Sequence, residues 1–79
     1  PDKRPEAIAE FEQAVEIARN QKAKSWELRA AISLAQLWQA DEQQSQAHDV
    51  LDAAFQKFTE GFDTPDLVEA KLLLESLSP

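Results

Sequence analysis

Few side chains in this sequence could do chemistry. His48 is the single imidazole and Cys is absent, which excludes a histidine acid–base couple, a thiol nucleophile, a thiolate metal site and a disulfide scaffold. His48 follows Ala47 at a helix boundary, where a partly exposed structural histidine is expected. Glu12/Glu16 and Asp49/Asp52 have the spacing of one helix face, but no His or third acid stands at a matching ligand position, so both pairs read as solvated surface. Asp63-Thr64-Pro65-Asp66 opens like a calcium loop, yet the later Gly and Glu are missing and the segment reads as a helix start. A single Gly leaves no glycine-rich loop to cradle a phosphate. No catalytic, metal or cofactor-binding residue is therefore assigned, and a non-enzymatic protein is expected.

What remains is binding through surface. Trp26 lies close to Lys22, Lys24 and Arg29, and Trp and Arg dominate binding energy where partners dock. Trp26 is either an exposed anchor for a partner peptide or a side chain packed on the first helix near Val15 and Ala18, and the packed reading is preferred. Trp38 falls on an apolar stripe and reads as core.

Four helices must position these residues. The first spans about 4–19, with Ala7, Phe11, Ala14 and Ala18 on one buried stripe, Ile8 and Val15 beside it, and Asn20 suited to the left-handed position at its end. The second, about 25–40, is apolar on two sides: Leu28, Ala31, Leu34, Ala35 and Trp38 on one, Trp26, Ala30 and Leu37 on the other. The third, about 43–60, carries Ala47, Val50, Leu51, Ala54, Phe55 and Phe58 and is ended by Gly61. The fourth, about 65–77, has the clearest start: Thr64 offers a capping hydroxyl, Pro65 needs no partner for a missing N–H, and Asp66 sits at the positive end of the helix dipole. Its inward stripe is Leu67, Ala70, Leu74 and Leu77. No segment alternates with period two, so no strand is expected.

Charge is unevenly spread. The 79 residues hold 8 Lys and Arg against 15 Asp and Glu, a net charge of −7. Residues 1–40 are neutral, with six bases and six acids, whereas residues 41–79 set only Lys57 and Lys71 against nine acids. An acidic surface repels phosphate backbones and anionic lipid, which argues against nucleic-acid or membrane binding. Hydrophobic residues at 43% and charged residues at 29% suit one folded domain, 1–79, with no apolar run long enough to span a bilayer. A soluble, cytoplasmic protein is expected. The opening Pro-Asp-Lys-Arg-Pro lacks an initiator Met, and an apolar period is running by Ala7, so the chain reads as a fragment of a larger protein.

An internal repeat appears at an offset of forty residues. Ala7 pairs with Ala47, Phe11 with Leu51, Ala14 with Ala54 and Val15 with Phe55. This small-then-large order resembles the second helix of a tetratricopeptide repeat (TPR), and Leu34, Ala35 and Trp38 resemble the helix before it. The usual period is about 34 residues, so some six extra residues are expected around Gln21–Trp26. Residues 21–31, then Ser33-Leu34-Ala35, Leu37-Trp38, Phe58-Thr59-Glu60-Gly61-Phe62-Asp63-Thr64 and Asp66-Leu67 are similar to the C-terminal TPR region of large bacterial signalling proteins. In that family an adenylate or guanylate cyclase domain, or a DNA-binding domain, precedes an ATPase module and a long repeat array. The sequence departs from the family at Asp41-Glu42-Gln43-Gln44, where a Gly-containing turn is usual.

The resemblance implies an all-α TPR-like solenoid of antiparallel helix pairs, about one and a half repeats plus a C-terminal capping helix. It implies a non-catalytic scaffold that meets adjacent repeats of its own chain or a protein or peptide partner, and that needs no cofactor. The concave face would present Arg29, Ile32, Gln36 and Gln39, with Trp26 at its lip. The rival reading is a free-standing four-helix domain that homodimerises and has a structural role only.

Overall fold

Apolar residues three and four apart fold into helices wherever the sequence has the period. The computed structural model describes residues 3–58 and 64–77, in which the elements are α1 (Arg4–Asn20), α2 (Lys24–Ala40), α3 (Gln44–Phe55) and α4 (Pro65–Leu77). No strand occurs among the described residues. The expected start of α4 is observed: the Leu67 N–H donates to Thr64 Oγ1 at 3.4 Å, with Pro65 opening the helix and Asp66 in its first turn.

The first two turns are built alike. After α1, the Ala23 N–H donates to the Ala18 carbonyl at 2.9 Å and the Lys22 N–H to the Arg19 carbonyl at 3.1 Å. After α2, the Gln43 N–H donates to the Trp38 carbonyl at 2.7 Å and the Glu42 N–H to the Gln39 carbonyl at 3.1 Å. This is the Schellman pattern, whose left-handed residue is Lys22 (φ 58°) in one turn and Glu42 (φ 61°) in the other. One correction follows. Asn20 remains helical and Lys22 takes the left-handed position, because the two 6→1 and 5→2 bonds close only one residue past the Gln21 cap. Of the two places expected for extra residues around Gln21–Trp26, a longer loop or a longer helix start, the loop is short and α2 begins already at Lys24; α1 and α2 have 17 residues each.

Helix α3 also departs from expectation. It stops at Phe55 instead of reaching residue 60, and its last turn tightens as the Lys57 N–H donates to the Ala54 carbonyl and the Phe58 N–H to the Phe55 carbonyl, at 3.3 and 3.1 Å. Tightening turns Lys57 toward α2 and keeps Phe58 against the core. Gly61, the expected terminator, lies outside the described residues.

Side-chain contacts give the helix directions. Arg4 Nη1 meets Asp41 Oδ1 at 3.2 Å and Arg19 Nε meets Glu27 Oε2 at 2.8 Å, so α1 and α2 are antiparallel. Arg29 Nε meets Asp66 Oδ2 at 3.4 Å near the starts of α2 and α4, and Gln39 Nε2 donates to Ser76 Oγ at 3.2 Å near their ends, so these two run the same way. Helix α3 packs between α2 and α4, whereas α1 has α2 as its sole helical neighbour, and no Cα of α1 comes within 8 Å of α4. The molecule is 41 × 31 × 18 Å, and 18 Å is the thickness of two helix layers at the usual 8–10 Å spacing.

That arrangement sets the core. Leu28, Ala31, Ile32, Leu34 and Ala35 of α2 join Ala47, Leu51 and Ala54 of α3, Leu67, Ala70 and Leu77 of α4, and Val15 of α1. The forty-residue register is buried unequally: Ala47, Leu51 and Ala54 are sealed while Ala7 and Phe11 are half-buried and Ala14 is exposed, and the order reverses in the fourth pair, with Val15 buried and Phe55 half-buried. The buried face of α1 is therefore Val15 and Ala18, not the whole expected stripe, because α3 has two neighbours and α1 has one.

Candidate protein-binding groove

The uncovered face of α1 forms one wall of a groove of about 490 Å³. Phe11, Ala14, Ile17 and Ala18 line it from α1, and Trp26, Arg29, Ala30 and Ser33 from α2. Small residues at Ala14, Ala18 and Ala30 keep the two helices low between the larger flanking side chains. Trp26 is 67% exposed and Ile17 48% exposed, large apolar surfaces left in water at the rim. The Arg29 guanidinium lies 5.8 Å from the Trp26 ring centre, one helical turn along, and also reaches Asp66.

The preferred reading of Trp26, packed on the first helix near Val15 and Ala18, is thus corrected. Its ring stands at the groove lip beside Arg29 because nothing on the far side of α1 closes over it. Trp38 is the more buried tryptophan, packed against the core.

The expected concave row is corrected in part. Ile32 is 6% exposed and belongs to the core, because α4 lies along this side of α2. Arg29 and Gln39 mark the two ends of the same seam through Asp66 and Ser76. Gln36 is exposed. Of the five candidates, Trp26 and Arg29 share the groove, while Ile32, Gln36 and Gln39 do not line it.

One charged cluster escaped sequence reasoning. Glu27 is 1% exposed, and its carboxylate accepts from Arg19 Nε at 2.8 Å and from Lys57 Nζ at 2.5 Å. Burial pushes this carboxyl up, but the hydrogen bonds from Arg19 and Lys57, together with their charges, outweigh burial and hold it below its ordinary value. The available signal was position: Glu27 precedes Ala31 by four residues and Leu34 by seven, on the buried stripe of α2. His48 is half-buried on α3, with Nδ1 3.9 Å from Asp49 Oδ1. Among the described residues no three His, Asp or Glu side chains gather so as to hold a metal ion, and no helix is long and apolar enough to cross a membrane.

No protein-family model, curated protein or solved structure matches this chain.

Proposed function

We propose that the chain is a non-catalytic protein-interaction module of TPR type, the C-terminal part of a repeat array with a regulatory or sensing role in a larger cyclase- or ATPase-type signalling protein. The observation that carries this reading is the open groove between α1 and α2, apolar at its floor and bounded by an exposed Trp–Arg pair. Three features of the fold support it. The first two helices and their turns repeat at twenty residues with the same hydrogen bonds, α4 follows α2 in direction, and α1 and α4 stay apart, as in a stack that grows from its ends rather than a closed four-helix bundle. A protein or peptide segment is the ligand class that such a surface takes, anchored on Trp26 and Arg29.

The test is selection of amphipathic helical peptides on the chain, followed by titration. Saturable binding should shift Trp26 emission to the blue in a Trp38→Phe background, and calorimetric titration should show it lost in Ala14→Glu and Trp26→Ala. Binders that tolerate both substitutions would place the interaction elsewhere and overturn the groove reading.

A further inference from the structure

A second apolar surface lies on α4. Val68 and Leu72, one turn apart on α4, are 43% and 62% exposed and point away from the Leu67, Ala70 and Leu77 face that packs inward. Helix α4 carries Asp66, Glu69 and Glu75 against a single base, Lys71. Glu69, Lys71 and Glu75 are exposed on α4, and an apolar ridge runs between them. The groove is flanked by bases, with Lys22 exposed in the adjoining turn, Lys24 exposed at the start of α2, and Arg29 on its wall, where it already meets Asp66.

We propose that the α1–α2 groove receives the Val68–Leu72 ridge of a second copy of this chain, joining copies head to tail. This rests on reading the groove as a protein-binding surface and names its occupant. A helix is the shape required, because α1 lacks the second helical neighbour that α3 has. A helix flanked by Glu69 and Glu75 suits the exposed Lys22 and Lys24 beside the groove, and residues at i and i+4 are the anchors that a helix offers a groove. Apolar contact between Leu72, Val68 and the groove supplies the affinity, while the exposed charges set direction and approach rate. The two surfaces differ, so a groove-to-ridge contact is heterologous: each joined pair keeps one free groove and one free ridge, and the contact propagates from copy to copy.

The experiment is sedimentation of the full chain from micromolar to millimolar concentration, with Ile17→Glu in the groove and Leu72→Glu on the ridge. Both residues are exposed, and circular dichroism checks that each variant stays helical. The wild type should grow in mass with concentration, and each variant alone should associate at least about tenfold more weakly, a loss near 1.4 kcal/mol. An equimolar mixture of the two variants should yield a heterodimer that grows no further, since one intact groove meets one intact ridge. A wild type that stays monomeric overturns the proposal, and so does a dimer that survives Leu72→Glu and is lost only in Ile17→Glu, the pattern of two grooves facing each other. If helical peptides still bind the groove of a monomeric chain, the second copy is wrong and the groove reading stands.

Discussion

Glu27 must leave water to fold, and only its two cations make that tolerable. Arg19 and Lys57 are 43% and 39% exposed, so on loss of the carboxylate both can return to solvent. Glu27→Gln should therefore cost about 1.5–3 kcal/mol, the range for hydrogen bonds to charged groups, measured by urea unfolding. Glu27→Leu should cost less than Glu27→Ala, because it refills the space. The pH dependence has a definite sign. The carboxyl is held lower in the folded chain than in the unfolded one, so its contribution is complete above the unfolded value near 4.5 and is lost as pH falls through the folded value. Acid unfolding of Glu27→Gln should lack that component. The two tryptophans divide at this scale as well: Trp38→Ala should cost about 3–5 kcal/mol as a core truncation, whereas Trp26→Ala should stay within about 0.5 kcal/mol. Iodide should quench the Trp38→Phe variant more strongly than Trp26→Phe, and equal quenching would contradict the exposures.

At the scale of elements, both Schellman turns hold a non-glycine residue at positive φ, which strains the Cβ of Lys22 and Glu42. Lys22→Gly and Glu42→Gly should each stabilise the chain by about 0.5–1 kcal/mol, after the added freedom of the unfolded state is subtracted, and the two gains should add because the turns are separate. Thermal unfolding of the two single variants and the double variant checks this. What was legible in the sequence follows the range of each cause. The four helices and the Thr64–Pro65–Asp66 start depend on neighbours within a turn and were readable. The end of α3 at Phe55 depends on a turn that delivers Lys57 to Glu27, 30 residues away, and no local signal marks it. The exposure of Trp26 and the burial of Ile32 have the same origin: period alone gives two apolar sides to α2, but which side α4 covers is a tertiary fact.

For the whole molecule, stability should be graded along the chain. Helix α1 buries only Val15 and Ala18 fully and has one neighbour, while α2 and α3 supply most of the core. Amide exchange should accordingly be fastest in α1 and slowest in α2 and α3, with α1 opening at a free energy below that of global unfolding. Uniform protection across all four helices would refute the gradient. Filling the groove, by a peptide or by another copy, should raise protection in α1 before it does so elsewhere.

The separation of α1 from α4 also bears on how the protein carries load. No Cα of the first helix comes within 8 Å of the last, so tension applied at the two termini meets no packed clasp between them. Tension loads the α1–α2 seam, with Arg4–Asp41 at one end and Arg19–Glu27 at the other, and at the far terminus the seams of α4, which has two helical neighbours where α1 has one. An optical-trap trace should show α1 peel away first, as a small early extension ahead of the main rip. A chain bound through its groove should lose that early step, which makes the groove the place where a partner turns a yielding tether into a stiff one.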